Sequence, residues 1–338
     1  LSKHFTTKSS TNYILRIVEI LAKMGSTSAK SLLVKNINFP SRDVQINVIR
    51  GLYFCRYQAS GNEVSIIRKK LEETIDSVMW GYASIIDLES EKNTLKLIQS
   101  LDLERENNYE LIFELLSFLY DPKVINLIKK NIIGENTIFA LEIIDNFISQ
   151  DQKQLIIPLF DDISKYQRLK KLNKYFPQRK LKLTNRLKDI IVRDYNKVDP
   201  WTVAKAVELL GKLHKKKKSI DIKESETEDS EKIDLWTNEN VQQLIKAIRK
   251  SEMPDEMFAC LYHPDEIVFS TAAQIIYEEN PSRCLNYLQN LSTKKQEIYP
   301  VLQDSKLSKF NLLSNKIKYL KRLSTFFSIP ENLLVKIA

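Results

Sequence analysis

Three histidines, three cysteines and a few acids are where this chain could hold chemistry. His4 lies near a terminus and His214 at the edge of a charged segment. His263 stands just before Pro264, a turn position with no carboxylate or cysteine at ligand spacing, which disfavours a general base or a bound metal there. Cys55, Cys260 and Cys284 are far apart and form no CxxC. They read as reduced thiols in a cytoplasmic setting, Cys55 and Cys260 packed as small hydrophobes. Asp161-Asp162 is the paired carboxylate to weigh. It follows Pro158-Leu-Phe and precedes Ser164, a helix end where acids cap the helix that follows. Asp199 beside Trp201 is the nearest match to the acid a helical-repeat DNA glycosylase would need, and it sits in a turn. No GxxxxGK[ST], GxGxxG, HExxH or GxSxG occurs, so the residues point to no enzyme, no cofactor and no metal.

The elements that would have to position these groups all read as helices. Residues 109–163 carry three in quick succession, on Leu111, Ile112, Leu115, Leu116 and Leu119, then Val124, Leu127 and Ile128, then Phe139, Leu141, Ile143, Ile144, Phe147 and Ile148. Spacings of three and four place these side chains on one face of each helix, and the third is apolar over more than half its circumference. Such a helix needs neighbours on both sides. Asp121-Pro122 and Gly134 with Asn136 punctuate the junctions. Upstream, Thr11 to Met24 forms a helix that stops at Gly25, a second carries Leu32, Leu33 and Ile37, and Ser41 opens a third with Val44, Val48, Ile49 and Leu52. The Pro40 pattern recurs at Pro264, where Val268, Ala272, Ala273 and Ile276 fall in the same register, and a third copy at Asp199-Pro200-Trp201 fits with a one-residue slip. Trp80, Tyr82 and Tyr109 lie in register with apolar faces, so they read as packing aromatics. The expected fold is all-α, an α-α superhelix of the HEAT or armadillo solenoid kind built from paired antiparallel helices.

Lys plus Arg number 52 against 43 Asp plus Glu, a formal net charge of +9 over 338 residues. The densest basic run includes Lys165, Arg168, Lys171, Arg179 and Arg186, a candidate polyanion or partner surface. Its charges alternate around two helices broken at Pro177 instead of lining one stripe, which weighs against nucleic acid. Residues 215–234 lose all apolar periodicity and read as a flexible charged loop between repeats at 1–214 and 235–315. No stretch has the roughly 20 apolar residues of a membrane span.

Several segments together resemble one family. LLSFLYDPKVINLIKKNI, FALEIIDNFI, LIIPLFDDIS, RDYNKVDPWTVAKAVELLGKL and LYHPDEIVFSTAAQIIYEENP are similar to the HEAT-repeat region of bacterial fusion proteins, in which an ATP/ADP translocase-like membrane domain precedes the repeats and a cyclic-nucleotide-binding domain follows. Residues 316–338, with Leu320, Leu323, Phe326, Phe327 and Leu333, look like the helical lead-in to that last domain. The chain begins at Leu1 without methionine, so a piece of a longer protein is expected, one that does not itself hold a cyclic nucleotide. The resemblance implies a non-catalytic scaffold or coupling module, cytoplasmic, at the cytoplasmic face of the inner membrane in the parent protein. Its implied partners are the adjacent domains and other proteins. The alternative class is a nucleic-acid-binding helical-repeat protein, the glycosylase-like solenoid included.

Overall fold

A computed structural model describes residues 5, 10–134, 136–218, 236–247, 253–303, 316–317, 320 and 331–334. Among them there is no strand, and the chain is an all-α array of helices packed on their neighbours. It divides into two compact units: Leu1–Ser90 with Leu101–Leu181, and Glu91–Ser100 with Lys182–Ala338.

The first unit opens with α1 (Thr11–Met24), which starts where the Ser10 side chain accepts the Tyr13 N–H and stops at Gly25, whose φ of 58° is left-handed. α2 (Thr27–Lys35) is capped by Ser26 and α3 (Arg42–Phe54) begins after Ser41; the three helices pack on one another. Gly51 permits the α1–α3 approach, since a Cβ there would lie 3.2 Å from that of Ala22. α4 (Glu63–Glu89) and α5 (Leu95–Leu119), which belongs to this unit from Leu101 onward, follow, each more than twice the mean helix length of about 11–12 residues. The apolar spacing opens a helix near residue 109, whereas α5 begins at Leu95. Then come α6 (Pro122–Ile133), α7 (Thr137–Phe147), α8 (Gln150–Phe160) and α9 (Lys165–Leu172), each packing on the next, with α9 also on α4. One core runs through the unit, from Ile14 and Leu33 through Ile75, Ile112 and Phe118 to Ile156 and Leu172, all but inaccessible to water. Each such side chain contributes about 1.5–3 kcal/mol of burial. α7 meets α6 and α8 as its composition requires, but a face is left over, and Ile138, Phe139 and Phe147 stay exposed.

The second unit holds α10 (Leu183–Val192), α11 (Pro200–Lys218), α12 (Asn238–Ala247), α13 (Asp255–Ala259) with a 3-10 turn at Cys260–Tyr262, α14 (Glu266–Glu279), α15 (Pro281–Gln289), α16 (Thr293–Gln296), α17 (Ile298–Gln303) and α18 (Glu331–Leu334). α11 packs on α10 and α14, and α14 on α15. The repeated pattern is structural: α3 starts one residue after Ser41 and α14 one residue after Asp265, and Val44, Val48, Ile49 and Leu52 match Val268, Ala272, Ala273 and Ile276 at 0–1% exposure. The third copy buries Ala204, Val207 and Leu210 on α11. That helix continues to Lys218, so residues 215–218 of the expected loop are helical, and Lys215 pairs with Glu278 at 2.6 Å. Residues 219–234 lie outside the described residues.

Candidate functional site

In the first unit a cleft of about 710 Å³ opens between the C-terminal turn of α3, the end of α5 and the start of α6. One wall is Tyr53, Phe54, Arg56 and Tyr57. α3 ends at Phe54, and Arg56 turns the chain with φ at 52°, a left-handed backbone uncommon outside glycine. That turn sends Tyr57 inward, where its ring meets Phe118 edge-on at 5.4 Å and its hydroxyl donates to Glu63 at 2.7 Å. Burial, with Glu63 beside it, pushes the Tyr57 hydroxyl well above the usual phenol range. The facing wall is Glu114 and Phe118 of α5 with Lys123 and Asn126 of α6. The Ala59 N–H donates to the Phe118 carbonyl at 2.9 Å and the Tyr53 hydroxyl to Asn126 Oδ1 at 3.2 Å, so both walls are tied together.

Three cationic side chains, Arg50, Arg56 and Lys123, line this cleft. Arg50, Arg56 and Lys123 are all exposed. Among the described residues neither Arg56 nor Lys123 enters an ion pair. Glu114 lines the same cleft. Its Oε2 is buried without a hydrogen-bond partner, and burial raises its carboxyl to about 7, against the opposing charge of Arg50. Asp121 is committed elsewhere, capping α6 by accepting the Lys123 N–H at 2.8 Å. The composition suits binding: exposed aromatic rings, a buried acceptor and a cationic rim. Sequence reading missed these residues because Arg50, Glu114 and Lys123 meet only through packing. The three aromatics and Arg56 within residues 53–57 were the visible signal.

The basic run is divided between the two units. Lys165 pairs with Glu89, and Lys171 with Asp161 at 3.0 Å. Arg168 turns inward, its guanidinium donating to the Tyr82 hydroxyl at 3.1 Å and to the carbonyls of Pro158 and Asp161. Arg179 is exposed in the first unit. Arg186 belongs to the second unit, where it is 2% exposed and donates to Asp189 at 2.7 Å. Asp161 closes α8 instead of capping α9; that cap is Ser164, in a reciprocal box with Gln167.

The second unit places His263 in a buried node. Its ring meets Trp236 at 4.7 Å and Tyr195 at 5.7 Å, its Nδ1 accepts the Asp265 N–H at 3.0 Å, and Lys295 donates to its carbonyl at 2.8 Å. Burial above all, with the Lys295 charge also contributing, lowers its pKa to about 3, so the ring is neutral and structural. Burial lowers Lys295 to about 8 and raises the thiols of Cys260 and Cys284, which are packed. Asp199 accepts the Trp201 N–H at 2.9 Å at the start of α11, and Trp201 is buried beneath Lys205. His214 meets Glu279 at 2.9 Å. Of the expected tail, Leu320 is half-buried and Leu333 is exposed, while Leu323, Phe326 and Phe327 lie outside the described residues. Among the described residues no three of His, Cys, Asp and Glu gather to hold a metal, and no helix is long and apolar enough to cross a membrane. No family model matches the chain, and neither a curated protein nor a solved structure matches it.

Proposed function

We propose that the chain is a non-catalytic HEAT-type module that joins and couples neighbouring domains, a nucleotide-transporter-like membrane domain and a cyclic-nucleotide-binding domain, at the cytoplasmic face of a membrane. The domain identities come from the resemblance of its repeat segments to such fusion proteins. In an array whose helices contact mainly their neighbours, small rotations add from repeat to repeat, so a change at one end reaches the other. The observation that carries the reading is the open apolar corner at the α6–α7 turn. Ile133, Ile138 and Phe139 are 67%, 85% and 43% exposed there, on helices whose other faces are packed. Clustered apolar groups left in water mark a docking surface more often than a solvated one. The ion pairing of Lys165, Lys171 and Arg186 counts against the nucleic-acid alternative.

The test is a photo-crosslinking amino acid at position 138 in the longest natural polypeptide that carries this sequence. A crosslink mapped to a domain outside the helical array is expected. Crosslinks confined to the array itself, or none, would overturn the proposal.

A further inference from the structure

The cleft between α3, α5 and α6 holds three features that packing of the first unit does not use. Glu114 Oε2 is buried with no donor, a costly state for a carboxyl oxygen. Arg56 and Lys123 carry charges that pair with no acid among the described residues, and Arg50 stands near Glu114. Tyr53 and Phe54 present rings to solvent, 38% and 69% exposed, with Tyr53 held in place by Asn126. A cleft kept only for stability would fill this volume with aliphatic side chains.

We propose that the cleft binds a nucleobase carrying a phosphate, with the base against Tyr53 and Phe54, its N–H edge on Glu114, and its phosphate among Arg50, Arg56 and Lys123. Aromatic faces accept any base by stacking, whereas the acceptor selects a base with donors on its edge. Guanine fits best, because its ring N–H and amino group lie side by side and can both reach a carboxylate. Arginine and lysine at the rim supply the charge-assisted contacts a phosphate requires. The volume of about 710 Å³ is that of a small-molecule site. Burial already holds the Glu114 carboxyl near 7, so a donor arriving at Oε2 would favour its charged form. The base and phosphate belong either to a free mononucleotide or to a single-stranded nucleic acid.

Calorimetry on the full chain with GMP, guanosine, inorganic phosphate and AMP tests this directly. Saturable one-to-one GMP binding is expected, with guanosine, phosphate and AMP each weaker by about tenfold or more. Arg50→Ala with Lys123→Ala should weaken GMP by at least about tenfold, and Glu114→Gln should erase the preference for GMP over AMP. A short guanine-containing single strand separates the sources: tighter binding with a steep salt slope assigns a nucleic acid, and no gain over GMP assigns a free nucleotide. Photolysis of 8-azido-GMP should label peptides within residues 50–57 or 114–126, a readout that needs no variant. Absence of saturable GMP binding at millimolar concentration, indifference to Arg50→Ala with Lys123→Ala, or labelling confined to other peptides would each overturn the assignment. Failure here leaves the coupling proposal standing, since that is read at Ile138 and not in the cleft.

Discussion

Gly211 on α11 faces Ile275 on α14 with no room for a methyl group: a Cβ at position 211 would stand 2.7 Å from Ile275 Cγ2. Ile275 is β-branched and stiff at χ1, so it cannot swing aside freely. Gly211→Ala should therefore destabilise the second unit by about 1–3 kcal/mol, although alanine is the better helix former by about 1 kcal/mol. Gly81 on α4 is the control, because a Cβ there meets nothing within 4 Å. Gly81→Ala should be neutral or stabilising by about 0.5–1 kcal/mol. Urea unfolding of both variants checks the pair, and equal effects would refute the packing argument.

The repeats are legible in the amino-acid pattern because their inner faces are small or β-branched at fixed offsets from a proline. That is why Val44 and Val268 align by spacing alone. The continuity of α5 is not legible. Glu104 and Asn108 interrupt its apolar period, yet both are buried, Glu104 beside Arg42 at 3.7 Å on α3. A buried polar contact looks like a helix break when only hydrophobicity is counted. The partners of the basic run are not legible for a related reason. Charge can be counted along the chain, but the partner of Lys165 is Glu89, 76 residues earlier. The cleft is hidden for the same reason, since its acid, its rim and its aromatics come from three separate helices.

A second prediction concerns Tyr82. Its hydroxyl accepts from Arg105 and Arg168, each at 3.1 Å, and shares a 2.9 Å hydrogen bond with Tyr109, whose own hydroxyl donates to the Leu159 carbonyl. Tyr82 therefore gives its proton to Tyr109 and collects two charged donors. Both guanidinium groups also lie over its ring, at 5.0 and 5.4 Å. Tyr82→Phe keeps the ring and removes the acceptor, and should cost about 1.5–3 kcal/mol, the scale of hydrogen bonds to charged groups. Tyr82→Leu should cost more, because the ring contacts go as well. Amide exchange within α4, α5 and α9 would report the loss locally, and a neutral Tyr82→Phe would show that the cluster is incidental.

The buried His263 makes the second unit acid-sensitive. Its folded pKa of about 3 lies below the ordinary 6.5, so between those values the unfolded chain binds a proton that the folded chain does not. Stability is therefore full above pH 6.5 and falls as the pH drops toward 3. His263→Leu should lower stability at neutral pH, since the Asp265 N–H loses its acceptor. The same change should also flatten the decline below pH 6.5. The slope carries the inference. A variant whose acid limb matches the parent would place the sensitivity in another group.

Glu114 works in the opposite direction. Burial holds its folded pKa at about 7, above the ordinary 4.5, with Arg50 and Lys129 partly offsetting the burial and Glu110 adding to it. Between pH 4.5 and 7 the folded chain keeps a proton that the unfolded chain has released, so stability falls as the pH rises through this window. The accumulated loss above pH 7 is on the order of 3 kcal/mol. Glu114→Gln removes the titration while keeping the shape, so the variant should match the parent near pH 4.5 and exceed it at about pH 8. Urea midpoints for both proteins across this range give the comparison. Parallel curves would mean that the carboxyl already finds a donor in solution, and its buried oxygen would no longer speak for a ligand in the cleft.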